Sequence, residues 1–164
     1  MKSVTIKDLL DAGIHFGHKT KRWNPKMSSY IFGERNGIHI IDLQQTVGCL
    51  NRALDKIKEF ASQNKNILFV GTKRQASEII SKAAVDCKQY YINKRWLGGI
   101  LTNWDTIQNS IKRLKELENI LSEKSYTYTK KETLNFEKNV NKLNKALGGI
   151  KDMNGMPDIL FIID

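Results

Sequence analysis

The sequence of 164 residues has little of what marks secreted, disulfide-bonded or membrane-spanning proteins. Two cysteines, Cys49 and Cys87, are too few for a disulfide framework, so we expect a reducing compartment. No apolar run approaches the roughly 20 residues that a spanning helix needs, and the first residues lack the apolar core of a secretory signal. These absences predict a soluble, intracellular protein with no membrane partner.

Motifs for catalysis, cofactors and metals are also missing. Gly71-Thr72-Lys73 lacks the upstream glycine of a phosphate-binding loop, and no G-x-G-x-x-G motif follows a predicted strand. His15 and His18 have the spacing of metal ligands, but a structural zinc needs four ligands and neither cysteine has a second ligand beside it. No serine or cysteine nucleophile and no acid–base pair stands out. We therefore predict no enzyme activity, no cofactor, no metal and no small-molecule substrate.

What the chain has in excess is positive charge. It carries 27 Lys and Arg against 17 Asp and Glu, for a net charge of +10 and a pI near 9.6. The excess is +5 in residues 1–65, +4 in 66–101 and +3 in 102–150, whereas 151–164 carry −2. Such a balance favours a polyanionic partner, above all a nucleic acid.

Strands and helices alternate along the chain, which predicts an α/β protein with a parallel sheet. Residues 14–29 show no period and are predicted to be irregular, and a Thr72-x-x-Gln75 capping box is predicted to open the third helix. The remaining predicted elements are a capped helix at 5–13, a β-hairpin at 30–41 around Asn36-Gly37, a helix from Leu43, and apolar strands at 66–71, 89–92 and 158–164.

Residues 102–150 have a different pattern, with two apolar stripes at helical spacing. A Thr129-x-x-Glu132 capping box starts the second stripe, and a turn is predicted between Ser122 and Tyr128. We predict an antiparallel, coiled-coil-like helical hairpin at 102–150, inserted into a sheet domain made of residues 1–101 and 151–164.

Two groups of basic side chains are candidates for RNA contact. Residues 18–26 combine cations with Trp23 and contain no acid, so they can neutralise phosphates and stack on a base or ribose, although a solvated loop whose tryptophan packs into the core fits equally well. Lys73, Arg74, Lys94 and Arg95 follow two predicted parallel strands. Because ligands bind at the carboxyl ends of such strands, these four side chains are expected to converge. Trp96 and Gly98-Gly99 could also serve simply to form a tight turn.

Several blocks of sequence, in order along the whole chain, resemble those of the bacterial-type ribosomal small-subunit protein two family. The N-terminal blocks are Leu9-Leu10-Asp11-Ala12-Gly13-Ile14-His15-Phe16-Gly17-His18 and Arg22-Trp23-Asn24-Pro25-Lys26-Met27. Later blocks are Ile67-Leu68-Phe69-Val70-Gly71-Thr72-Lys73, Arg95-Trp96-Leu97-Gly98-Gly99, and Met156-Pro157-Asp158 with the apolar residues that follow.

The resemblance implies a flavodoxin-like sheet domain with a protruding helical hairpin and a non-catalytic role. It implies binding of small-subunit ribosomal RNA between the head and body of the subunit, contact with neighbouring ribosomal proteins, and support of assembly and translation. In bacteria the family also helps to dock ribosomal protein one. By position, the resemblance implies RNA contacts at His18, Lys19, Lys21, Arg22, Trp23, Asn24, Lys26, Lys73, Arg74, Lys94, Arg95, Thr102 and Asn103.

The resemblance covers only the N-terminal part of the family, whose members continue beyond this point with further strands and helices. Ending at an apolar strand would leave an exposed sheet edge, so we expect a separately encoded C-terminal half or other ribosomal proteins to cover it, with a truncated sequence as the alternative. Lys, Asn and Ile make up about a third of the chain, a bias that A/T-rich codons produce. We therefore expect a ribosome of the mitochondrial matrix, with a bacterial cytoplasm or a plastid as alternatives.

Two other functions stay open at this level. One is an enzyme or sensor that binds a phosphorylated small molecule at the carboxyl edge of the sheet. The other is a protein-docking module that works through the helical hairpin, which is compatible with RNA binding.

Overall fold

The computed structural model describes residues 4–122 and 128–163, and the chain divides into two compact units, Met1–Gln63 and Asn64–Asp164. The predicted division into a sheet domain (1–101 with 151–164) and a hairpin insertion (102–150) stays a prediction. The described helices are α1 (Ile6–Asp11), α2 (Leu43–Ser62), α3 (Arg74–Asp86), α4 (Trp104–Ser122) and α5 (Lys130–Leu147). The described strands are β1 (Phe16–Lys19), β2 (Ile31–Arg35), β3 (Ile38–Ile41), β4 (Ile67–Val70), β5 (Tyr90–Ile92) and β6 (Ile159–Ile162).

The first unit contains an antiparallel sheet in the order β1-β3-β2. The predicted hairpin is confirmed: Asn36 and Gly37 both have positive φ (53° and 71°), as a tight two-residue turn requires. The prediction that residues 14–29 are irregular is wrong for β1, which pairs with β3. This strand contains a glycine and a lysine and has no alternating apolar pattern, so its structure comes from pairing with a neighbour rather than from its own sequence.

The second unit contains a parallel sheet in the order β5-β4-β6, which confirms the predicted α/β fold and is consistent with a flavodoxin-like arrangement. β4 lies in the centre and is buried over most of its length. The predicted capping box at Thr72 is wrong. Helix α3 has Lys73 at its N-cap with no side-chain cap, because the helix begins one residue later than that motif requires.

The two arms of the helical hairpin are helices α4 and α5, which pack against each other. Thr129 and Glu132 form the predicted capping box of α5. The predicted turn falls largely on residues 123–127, which lie outside the described residues. The hairpin is anchored at its base, where Ile107, Ile111 and Leu147 join one buried cluster with Leu68, Val70 and Ile92 of the parallel sheet.

The connection after α5 passes very close to β5. A Cβ atom added to Gly149 would collide with the backbone oxygen of Tyr91 and would lie 2.8 Å from its ring. Neighbouring Ile150 is fully buried in the same core. Only a glycine therefore lets the base of the hairpin approach the sheet this closely.

Strand β6 is anchored by Asp158, just before it. The backbone N–H of Asn66 donates to a carboxylate oxygen of Asp158 (2.9 Å), and Lys65 Nζ lies 3.2 Å from the other oxygen. The Asn66 hydrogen bond, followed by Lys65, lowers the pKa of Asp158. Asp158 is therefore a structural carboxylate.

We predict that Gly149→Ala lowers the free energy of unfolding by about 1–3 kcal/mol, because the new methyl group forces backbone apart in a packed core. Gly98→Ala is the matched control, since its Cβ would meet nothing within 4 Å. Urea denaturation of the two variants tests this. Equal stability of Gly149→Ala and Gly98→Ala would contradict the close approach.

We predict that Asp158 stabilises the fold in a pH-dependent way. A carboxyl group whose pKa is lowered by folding contributes stability above its unfolded pKa of about 4, and that contribution disappears as pH falls through the folded pKa. Asp158→Asn should therefore be less stable than the wild type at pH 7, and the difference should shrink by pH 3. The control is Asp86→Asn, which removes a carboxylate that makes no hydrogen bond or ion pair among the described residues. A difference that is the same at both pH values would contradict this role.

Candidate nucleic-acid interface

The basic segment of the first unit is held by the antiparallel sheet. Thr20 donates its backbone N–H to the oxygen of Gly37 (3.0 Å), and Lys19 pairs with Ile38 across β1 and β3. These bonds attach the short turn Thr20–Arg22 to the β2–β3 turn. The result is an open cavity of about 620 Å³ lined by Lys19, Thr20, Lys21, Arg22, Asn36, Gly37 and Ile38.

The sequence leaves two roles open for Trp23, which are stacking on RNA and packing into the core. Its side chain is 38% exposed, and its ring centroid lies 4.8 Å from that of His39. It lines a small cavity of about 90 Å³ together with His18, Asn24 and His39. The two ring nitrogens of His39 are buried and have no hydrogen-bond partner among the described residues. One part of the indole is thus packed, and the exposed part is accessible for stacking.

Asn24 has a structural role in the same segment. Its side-chain oxygen accepts the backbone N–H of Lys26 (3.0 Å) and caps the turn Pro25–Tyr30. The Lys26 side chain is exposed one residue into that turn. The predicted residues 18–26 are therefore presented by the end of β1 and two short turns, with their cations exposed.

In the second unit, the basic residues that follow β4 and β5 share a cavity at the carboxyl edge of the parallel sheet. This carboxyl-edge cavity of about 500 Å³ is lined by Thr72, Arg74, Ser77, Glu78, Asn93, Lys94 and Arg95. Arg74, Lys94 and Arg95 are thus brought together, whereas Lys73 forms the N-cap of α3 and does not line the cavity. Parallel register between β4 and β5 (Val70 with Ile92) places both loops at one level.

Thr102 and Asn103 lie just before α4 and do not line the carboxyl-edge cavity. Asn103 organises the start of that helix. Its side-chain oxygen accepts from the hydroxyl of Thr106 (2.8 Å), and its backbone N–H donates to Gly99 (2.7 Å). Thr102 is exposed.

Sequence reasoning missed several polar residues that line these surfaces. Thr20 and Asn36 join the cations of the first unit only because β1 pairs with β3. In the second unit, Asn141, Asn144 and Lys145 of α5 lie beside Lys94. The available signal was a pair of asparagines three residues apart on α5, beside the apolar stripe that predicts the helix.

Lysine and arginine side chains line the cavity beside the β2–β3 turn and the carboxyl-edge cavity, whereas the described lining of the small cavity beside Trp23 contains neither. Among the described residues that line the cavities of either unit discussed here, Glu78 is the one carboxylate. In residues 4–122 and 128–163, no three His, Cys, Asp or Glu side chains come close enough to hold a metal ion. No helix in the part of the chain that the structure describes has the length and apolar character to cross a membrane. The arrangement suits binding of a phosphate-rich polymer.

The chain is similar in sequence to a family of ribosomal proteins. The sequence model of the family described as Ribosomal protein S2 matches residues 9–164. Proteins named small ribosomal subunit protein uS2 from Sinorhizobium medicae and Rhizobium meliloti are each 59% identical over all 164 residues, which make up 64% of each relative. A relative of the same name from Bartonella tribocorum is 59% identical, with 62% of its length covered. The chain thus spans less than two thirds of the length of these relatives, and it belongs to the ribosomal protein S2 family.

Proposed function

We propose that this chain is a structural constituent of the small ribosomal subunit that binds small-subunit ribosomal RNA between head and body. In this role it supports assembly and translation. The observation that carries the proposal is the grouping of exposed cations on sheet-anchored loops, with Glu78 as the one carboxylate among the described residues that line the cavities containing these cations. Membership of the ribosomal protein S2 family supports small-subunit ribosomal RNA as the polyanion.

The mechanism is neutralisation of phosphates by cations held in fixed positions. Lys19, Lys21 and Arg22 surround one open cavity, so they can contact consecutive phosphates of a folded RNA. The exposed part of Trp23 can stack on an unpaired base or ribose. Such contacts recognise the shape of an RNA rather than its sequence. This mode of recognition fits a non-catalytic role within the small ribosomal subunit.

The RNA-contact residues in this proposal are those that the resemblance implied. His18, Lys19, Lys21, Arg22, Trp23, Asn24 and Lys26 act in the first unit, and Lys73, Arg74, Lys94, Arg95, Thr102 and Asn103 in the second. Asn24 and Asn103 already accept hydrogen bonds that organise the backbone. In this proposal, Asn24 and Asn103 therefore position neighbouring groups in addition to contacting RNA.

A second candidate function is binding of a phosphorylated small molecule in the carboxyl-edge cavity. Its volume of about 500 Å³ and its three cations favour this alternative. The absorbance of the purified protein separates the two. Ribonuclease-sensitive nucleic acid supports the ribosomal role, whereas a bound mononucleotide would support the alternative.

Further family sequence or neighbouring ribosomal proteins are proposed to cover the edge of the parallel sheet at β6. This strand pairs with β4, and Leu160 and Ile162 are 38% and 63% exposed. The relatives are longer than this chain. We therefore propose that the additional family sequence supplies the segment that covers this edge. The intact mass of the native protein shows whether that length is part of the same polypeptide or, as the sequence led us to expect, is encoded separately.

The proposed compartment is the mitochondrial matrix, with a bacterial cytoplasm or a plastid as alternatives. Relatives from alphaproteobacteria indicate a bacterial-type ribosome. The proposal predicts density for the chain in small subunits isolated from mitochondria of the source organism. Its presence only in bacterial or plastid ribosomes would contradict the mitochondrial assignment.

We predict that Lys21→Gln combined with Arg22→Gln weakens incorporation into the small subunit and flattens its salt dependence. Loss of two phosphate contacts should reduce the slope of log affinity against log salt by about 1.5. The measurement is co-sedimentation, at several salt concentrations, with Sinorhizobium medicae small subunits stripped of their own S2-family protein. Arg52→Gln with Lys58→Gln is the control, because it removes the same charge from α2. Sedimentation of the Lys21/Arg22 variant that matches the wild type at every salt concentration would contradict the assignment.

A further inference from the structure

A second polar cleft lies in the Asn64–Asp164 unit, where the carboxyl end of β5 meets the last turns of α5. This cleft, called the hairpin-base cleft, has a volume of about 460 Å³. Its polar side chains come from two distant parts of the sequence. They are Asn93, Lys94, Asn141, Asn144, Lys145 and Lys151.

The charge of the hairpin-base cleft is positive. No carboxylate is among its lining residues in the described chain. Lys151 is paired with Glu118 at 3.4 Å, whereas Lys94 and Lys145 form no ion pair within residues 4–122 and 128–163. Helix α5 ends here, and its last carbonyl groups contribute only about half a negative charge. Two uncompensated ammonium groups outweigh that dipole, so the cleft attracts anions.

Amide groups complement the lysines. Asn141 and Asn144 line the cleft one turn apart on α5, and each side-chain amide offers two N–H donors. Asn93 is already engaged, since its Nδ2 donates to the backbone oxygen of Ser77 (3.2 Å). Asparagine has a lower helix propensity than alanine or leucine, so helix formation by itself does not favour asparagine at these two positions. Donors of this kind suit phosphate oxygens and ribose hydroxyls.

The hairpin-base cleft adjoins the carboxyl-edge cavity, because Asn93 and Lys94 line both. One basic surface therefore runs from Arg74 and Arg95, across Lys94, to Lys145. An isolated phosphate or mononucleotide would fill one cavity and leave the other empty. A surface that extends over two adjacent cavities fits a chain of phosphates, as in grooves that follow a nucleic-acid backbone.

We propose that the hairpin-base cleft binds the phosphodiester backbone of folded RNA, with Lys145 as a direct phosphate contact and Asn141 as a hydrogen-bond donor. The proposal rests on the ribosomal role above and extends the RNA interface onto the base of the helical hairpin. The hairpin then serves as part of the RNA-binding surface and is not only a protruding arm.

The test measures binding of the full 164-residue chain to a transcript of Sinorhizobium medicae small-subunit ribosomal RNA over a range of salt concentrations. Lys145→Gln should reduce the salt slope by about 0.7–0.9, the value for one lost phosphate contact. Lys142→Gln is the matched control, because it removes the same charge from an exposed position of α5 that does not line the cleft. Lys145→Arg should keep the wild-type slope, and the nearly isosteric Asn141→Asp should weaken binding. Circular dichroism establishes that each variant retains its helices.

The Lys21/Arg22 double variant is measured alongside, so that the two proposals can fail separately. Identical slopes for Lys145→Gln and the wild type, with a flattened slope for the Lys21/Arg22 variant, would overturn the hairpin-base cleft and leave the ribosomal role standing. Absence of RNA binding by the wild type would overturn both. Displacement of the RNA by adenosine monophosphate, abolished by Lys145→Gln, would assign the cleft to a mononucleotide and overturn the proposal.

Discussion

The packing of the hairpin base onto the parallel sheet is the interaction on which the functional surface of the second unit depends. Ile107, Ile111 and Leu147 share a buried cluster with the side chains of β4 and β5. Gly149 lets this connection come against the backbone of Tyr91. Burial of about five large apolar side chains is worth several kcal/mol, far more than any surface ion pair of this protein. The polar cleft exists because this apolar contact holds its two walls together.

The same principle operates in the first unit with hydrogen bonds in place of apolar packing. The β1–β3 ladder and the bond from Thr20 to Gly37 hold the cations of residues 19–22 beside the β2–β3 turn. Like charges repel, so such a group stays together only where the backbone is fixed independently of the cations. In both units, therefore, neutral interactions hold the cations in place, and a phosphate chain can relieve their repulsion.

Much of the fold could be predicted from the sequence, because its signals are local. The apolar runs at β4 and β6, the Asn36-Gly37 turn and the stripes of α4 and α5 each specify an element without reference to the rest of the chain. The failures have non-local causes. β1 forms by pairing with β3, and α3 starts at Arg74 with Lys73 as its N-cap, one residue later than the Thr72 capping motif requires. Of the candidate cations at the carboxyl edge, Arg74, Lys94 and Arg95 lie together, and Lys73 has a separate place as the N-cap of α3.

By itself, the sequence determined the net charge of +10, the acid-free character of residues 18–26, the helical hairpin and the family resemblance, which family matching then confirmed. These properties depend on composition and on local residue patterns, both of which can be read directly from the amino-acid sequence. Only the tertiary structure decided which polar residues share a surface. Lys94 and Lys145 are some fifty positions apart, and they line one cleft because Leu147 and Ile150 are buried in the sheet core. Contacts between distant residues arise from packing, and no local pattern records them.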